Sequence, residues 1–369
     1  MAADQATVAD LPGVPQPAVW EFAGLLLSYW CSARCAFCYV NAGPQQCDWM
    51  SVATAIGLWR DLDRLAASRG KSMRIHLAGG EPFGNWPRLV AILRAARDAG
   101  LSTPEKVETN AFWASSDGLT RTRLELLASL GVQRLVVSTD VFHQEFVPFD
   151  HVRRCVEIGR QIFGCDRLRV RWWDFYHDPL DTSSLAEEQK NAAFLAALRR
   201  HAERLNGRAA RLLAPLLPCR PADAFGREHC RREILCSRHV HIDPAGHVFP
   251  GTCAGLALGR VRTAEESTAS AVPSFPSVMH LWEHWTDYRN ANTVIGALLV
   301  GGSHELMRLA IGLGYRPRPQ GYADKCHLCA DIRQWAFESG LWPDCVAPAA
   351  CYRSPPVTER TADRPPAQA

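Results

Sequence analysis

The sequence predicts an α/β fold: a partial (βα)6 TIM-like barrel over residues 20–213, followed by a smaller Cys-rich C-terminal domain over residues 214–352. Three observations predict it. From about residue 20 to residue 210, apolar runs of strand length alternate with segments of helical pattern, which implies βαβ units with parallel strands and right-handed crossovers. From about Pro215 that alternation stops and cysteines become frequent. The 369 residues, 47% of them hydrophobic, suffice for one barrel-sized domain and a smaller unit. An open doubly wound sheet is the alternative architecture.

The elements follow in order. A Pro-containing tail, residues 1–19, leads into a first apolar run at 23–30. Further strands are expected at 73–78, 104–109, 132–138 and 168–173, and residues 208–213 offer a sixth. Helical patterns lie between them at 52–68, 87–99, 119–130 and 150–163, then at 184–205. Beyond the barrel, residues 236–253 read as two short strands around a Pro-Ala-Gly turn. Residues 262–277 are rich in Ser, Thr, Ala and Pro and read as a loop, while 279–288 and 305–311 look helical. Residues 353–369 are Pro-rich and charged, with Val357 the one large apolar residue, and are expected to be disordered.

Composition excludes several classes of function. Charges nearly cancel at +3, so the global balance demands neither nucleic acid nor an anionic membrane. Lys71, Lys106, Lys190 and Lys325 are the only lysines among 41 basic residues, a skew usual for GC-rich genomes. No stretch of about 18 apolar residues exists to span a membrane. The opening MAADQATVADLPGVPQ has neither the basic nor the apolar region of a secretory signal, so a cytoplasmic protein is expected. In a reducing cytoplasm, 14 cysteines are more readily metal ligands or reactive groups than disulfides. Gly70-Lys71-Ser72 superficially matches the end of a phosphate-binding loop, but Leu65 stands where its first glycine belongs.

The first apolar run ends in Cys31-Ser-Ala-Arg-Cys35-Ala-Phe-Cys38. Three thiolates on a short loop can ligate three irons of a cube and leave the fourth iron open, whereas ordinary cluster sites use four. Two other readings stay open on spacing alone: one face of a helix, with the cysteines as core, or a zinc site completed from elsewhere. The CX3CX2C spacing, with aromatic Phe37 before the last cysteine, resembles the signature of the radical S-adenosylmethionine (radical SAM) superfamily. The resemblance implies a [4Fe–4S] cluster on Cys31, Cys35 and Cys38. Its open iron is chelated by S-adenosylmethionine, which is reductively cleaved to a 5′-deoxyadenosyl radical.

Further motifs agree with that resemblance. The second strand runs into Gly79-Gly80-Glu81-Pro82, where glycines permit close backbone approach. The run resembles the family motif that contacts the cofactor's amino group. The third strand ends in Thr109-Asn110 and the fourth in Ser138-Thr139-Asp140. Polar strand ends of this kind converge on the C-terminal rim of a barrel, although each alone reads as a turn or helix cap. By resemblance, Phe37, Thr109 or Asn110, Ser138 and Asp140 are expected on the cofactor. His143, just beyond the fourth strand, and Asp174, after Trp172-Trp173, are candidate catalytic groups, and each could equally be a helix cap.

In the C-terminal part, Cys236, Cys253 and the pair Cys326-His-Leu-Cys329 can be brought together by folding the hairpin onto the CxxC, and geometry alone does not separate zinc from iron. The segment resembles the auxiliary-cluster extension called SPASM, or its shorter twitch version. Residues 330–344 lack the further cysteines of the full pattern, which favours twitch: one second [4Fe–4S] cluster on Cys236, Cys253, Cys326 and Cys329, with Cys219 or Cys230 as substitutes. Cys47, Cys155 and Cys165 read as structural.

Three functions compete. The favoured one is hydrogen abstraction from a small metabolite, a sugar, nucleoside or amino-acid-like compound, ending in dehydrogenation, epimerisation or decarboxylation. A peptide maturase acting on a ribosomally made precursor is second; the ~20 residues before the first strand leave no room for an N-terminal peptide-binding module. A non-enzymatic iron–sulfur or zinc protein is third. Either enzyme needs a low-potential electron donor such as flavodoxin or ferredoxin.

Overall fold

The computed structural model describes residues 17–266, 274–287 and 293–353. Most of the expected tails, residues 1–19 and 353–369, and parts of the 262–277 loop and of the 279–288 helix lie outside these residues. Five parallel strands form the barrel side of one sheet: β1 (Phe22–Leu26), β2 (Arg74–Ala78), β3 (Pro104–Thr109), β4 (Arg134–Ser138) and β5 (Leu168–Arg171). The connections include α1 (Val52–Ser68), α2 (Trp86–Asp98), α3 (Asp117–Ser129), α4 (Val141–Gln144) and α5 (Phe149–Phe163). The sequence placed β3 and α1 at the bounds observed, and the other strands and long helices within a few residues. The mixed α/β sheet with parallel strands is the predicted fold class.

The local reasons are ordinary ones. Ser51 caps α1 by accepting from the Thr54 N–H, and Ser116 caps α3 through the Leu119 N–H. Side chains alternate across each strand. Ala23 and Leu25, Ile75 and Leu77, Val107, and Leu135 and Val137 face the helices and join Leu58, Leu62, Leu93, Leu127 and Val156 in the main core. The opposite residues, including Gly24, His76, Lys106, Glu108 and Ser138, line the concave face.

The expected sixth strand is not one. Residues 208–213 hold instead a short helix, α8 (Arg208–Leu212), after α6 (Asp174–His177) and α7 (Glu187–Arg200). Gly207 turns the chain at φ 55°, and the Arg208 side chain is engaged with the cysteine loop rather than with a sheet neighbour. The sheet grows from its other edge. After α9 (Arg231–Ile234), β6 (His239–Ile242) pairs parallel with β1, and β7 (His247–Pro250) and β8 (Gly259–Arg260) follow antiparallel. The strand order is β5-β4-β3-β2-β1-β6-β7-β8. The Pro-Ala-Gly hairpin is therefore present, and the sheet itself crosses the expected division at residue 213. Helices Val278–Glu283, Thr293–Val300, Gly302–Gly312 and Lys325–Glu338 complete the C-terminal part. No helix among the described residues is long and apolar enough to cross a membrane.

Candidate active site

Residues 31–38 form a loop, not a helix, which removes the helical-core reading of the three cysteines. Cys31 and Cys35 are buried, Cys38 partly so, and all three line one cavity of about 140 Å³ at the C-terminal ends of the strands. The loop is pinned by its own backbone and by one arginine. The Cys31 N–H donates to the Gly43 carbonyl (3.2 Å) and the Cys38 N–H to the Cys35 carbonyl (3.1 Å). Arg208 donates to the carbonyls of Cys35 (2.9 Å) and Ala42 (2.6 Å). Burial pushes the Cys31 and Cys35 thiols up; Glu81 adds to this at Cys31, and the neighbouring thiols add at both. Three thiols lining one cavity, two of them held protonated by burial and by their neighbours, are a poor apolar core and a fitting donor set for a cationic iron centre.

Gly79 and Gly80 carry a geometric demand that the sequence only half disclosed. A Cβ on Gly80 would lie 1.9 Å from the Trp30 carbonyl oxygen, and one on Gly79 2.6 Å from that of Ser28, at φ 133°. The close approach is to the chain's own cysteine-bearing segment, sealed by Gly80 N–H to Ser28 O (2.7 Å) and Glu81 N–H to Trp30 O (2.8 Å). Glu81 is buried, and its carboxylate accepts from the Asn110 N–H (2.7 Å), the Thr109 hydroxyl (2.9 Å) and the Phe83 N–H (3.2 Å). Burial still wins and pushes its carboxyl up to about 7.

Of the remaining predicted residues, Phe37, Pro82, Thr109, Asn110, Ser138 and His143 line the cavity. Asn110 Nδ2 sits 3.6 Å from Cys31 Sγ and 3.2 Å from Ser32 Oγ. Phe37 stacks on Phe142 at 4.8 Å and meets His143 edge-on at 5.7 Å. Two predicted residues are elsewhere. Asp140 is fully buried beneath the lining and caps α4, with Oδ2 2.7 Å from His143 Nδ1; it reaches the cavity only through His143. Asp174 lies outside the cavity, where it holds His201 (2.8 Å) and Arg200 (3.6 Å). Strand β5 ends at Arg171, and Trp172 at φ 58° turns the chain, so the rim residue is Arg171 and not Asp174.

Sequence reasoning missed the charged wall of this cavity: Glu108, Arg171, Glu203 and Arg204. Arg171 donates to Glu203 at 2.5 Å. Burial works against its cation, but Glu203, Asp140 and Glu108 raise it and keep it charged. The polar alternation Arg169, Arg171 along the strand was the available signal, since only one of its faces meets helices.

A second, smaller cavity of about 30 Å³ is lined by Cys230, Cys253, Cys326 and Cys329, with Arg204, Asn206, Glu233, Lys325 and Arg333. Three of the four expected cysteines are there. Cys236 is not: it is exposed, and Cys230 takes its place. Cys230 stands at the N-terminal end of α9, its N–H fixed on the Leu298 carbonyl (3.0 Å), and that helix carries the chain away before Cys236. Burial, then Cys329 and Cys253, push the Cys230 thiol up to about 12. Arg204 and Asn206 line both cavities, and Arg204 Nη1 lies 3.5 Å from Cys253 Sγ. Cys47, Cys155, Cys165 and Cys219 line neither of these two cavities.

The Radical SAM superfamily model matches residues 25–162. No curated protein sequence matches the chain. Among solved structures the chain is similar to a hexahistidine-tagged anSMEcpe with bound AdoMet, at 11% identity over 86% of this chain and 93% of that one, TM-score 0.40. It is also similar to native anSMEcpe with bound AdoMet and Cp18Cys peptide, at 12% identity over 87% and 98%, TM-score 0.39.

Proposed function

We propose that this chain, which carries a radical SAM domain over residues 25–162, abstracts hydrogen from a small, charged metabolite held against Arg171 and Glu203. Such a domain works with a [4Fe–4S] cluster and S-adenosylmethionine, which when bound supply the 5′-deoxyadenosyl radical. Cys31, Cys35 and Cys38 would hold the cluster. The Gly79–Pro82 turn, Asn110 and Ser138 would face the S-adenosylmethionine, with Thr109 turned onto Glu81. Phe37, stacked on Phe142, lines the same cavity.

The observation that carries the substrate class is the ion pair Arg171–Glu203 in the wall of the same cavity as the three cysteines. Both signs of charge on the wall of that cavity suit an amino-acid-like or anionic metabolite, whose carboxylate an arginine fork can take bidentately. His143, held at Nδ1 by Asp140, is placed to hold or move a proton at Nε2. The four-cysteine cavity shares Arg204 and Asn206 with this one, which supports an auxiliary iron–sulfur cluster close to the substrate. An external low-potential donor, flavodoxin or ferredoxin, would supply the electron.

The test is anaerobic incubation of the reconstituted protein with reductant, S-adenosylmethionine and two panels, small metabolites and short peptides, with 5′-deoxyadenosine measured in each. Release stimulated by a charged small metabolite is expected. Stimulation by peptides alone overturns the substrate class in favour of a maturase, and absence of 5′-deoxyadenosine from protein with intact clusters overturns the enzyme itself.

A further inference from the structure

We propose that His76, His239 and His241 form a binding site for one first-row divalent cation of the zinc type inside the barrel, separate from both cysteine cavities. His76 is on β2 and the other two are on β6, with β1 between them. One ring nitrogen from each lies within 4.8 Å of the other two. The Nε2 atoms of His76 and His241 are 3.1 Å apart, against about 3.4 Å for two imidazoles on a tetrahedral zinc. The third ligand needs a side-chain adjustment of roughly an ångström to close the set.

The surroundings are built for this group. Gly24 pairs with both His76 and His241 in register, and a Cβ there would sit 2.4 Å from His76 Nε2 and 2.3 Å from the His241 ring. The rings meet only because β1 offers no side chain at that point. His241 Nδ1 is 2.6 Å from the Gly251 carbonyl, which can only accept; Nε2 therefore keeps its lone pair, the orientation typical of a carbonyl-anchored metal ligand. His239 Nε2 is buried without any partner, an expensive arrangement for a purely structural cluster. Lys106 stands next to His76 in the sheet, but its charge is taken by Glu108 at 2.5 Å. The Tyr39 hydroxyl, 3.4 Å from His241 Nε2, offers an oxygen for a fourth position. Tyr39 directly follows Cys38, so the cation would tie the cysteine loop to the C-terminal hairpin.

Cobalt(II) is the probe. Full-length protein with its iron–sulfur sites loaded is titrated anaerobically with Co²⁺ after gel filtration, and iron content serves as the folding control. One cobalt per chain is expected, with visible bands of nitrogen ligation and no thiolate charge transfer. H241Q and H239N should weaken binding at least about tenfold at unchanged iron. No uptake by the wild type, thiolate charge-transfer bands, or full uptake by both variants would each overturn the site and leave a neutral hydrogen-bonded histidine pair. If either variant loses iron as well, the wild-type stoichiometry and spectrum decide.

Discussion

His143 Nδ1 lies 2.7 Å from the Asp140 carboxylate, and Asp140 also accepts the backbone N–H groups of Phe142 and His143. Burial alone would raise Asp140, but His143 and Arg171 outweigh it and hold the carboxyl below its ordinary value. An ionised Asp140 fixes the proton on Nδ1 and leaves Nε2 the lone pair. D140N removes that preference at little steric cost. The expected outcome is a fall in turnover of about 100-fold with unchanged iron content, read by substrate-coupled product formation beside an iron assay.

The two cysteine groups should titrate independently in an iron count. Loaded wild-type protein is expected to carry about eight irons, and the C31A/C35A/C38A variant about four. C230A should also lose about four, whereas C236A should lose none, because Cys236 is exposed and apart from the second cavity. Equal losses from C230A and C236A would contradict the ligand set.

Glu81 makes stability depend on pH. Its carboxyl is raised to about 7 in the folded chain, so its contribution is fully present below about pH 4.5, the unfolded value, and is lost as pH rises through 7. The size is at most about 3 kcal/mol. Denaturant midpoints measured from pH 5 to 8 should fall with pH for the wild type. E81Q should be less stable at pH 5 yet show a flatter profile, having no proton to lose.

At Gly80 a single methyl is enough to separate the two motifs. In G80A the new Cβ meets the Trp30 carbonyl, and the β1 and β2 ends must part, at a cost of roughly 3 kcal/mol. A drop in denaturation midpoint together with loss of the first cluster's iron is expected. G57A, on the open side of α1 where a Cβ meets nothing, should leave the iron unchanged and raise the midpoint slightly, as Gly→Ala inside a helix does.

Much of this site was legible in the sequence because the chemistry sits in short, local runs. Cys31 to Cys38 and Gly79 to Pro82 each lie within a few residues, at the ends of apolar strands that announce themselves. What failed was non-local. Whether residues 208–213 pair with β5 depends on Gly207 and on the cysteine loop's demand for the Arg208 guanidinium, neither visible in a periodicity. Cys230 and Cys236 are equally plausible partners for a CxxC until the intervening helix turns one of them away. Asp174 was misplaced by one backbone reversal at Trp172, and Arg171 was passed over because a charged strand residue ordinarily faces solvent.

The pairing of β1 with β6 has a kinetic consequence. Phe22 lies opposite His239, so this contact must close a loop of more than 200 residues, and closure of such loops is slow and comes late in folding. Until residues 239–242 leave the ribosome, the strand that carries the cysteine loop presents an open edge, a ready template for pairing with other chains. Overexpression faster than cluster delivery should therefore drive the nascent protein into aggregates before it can be matured.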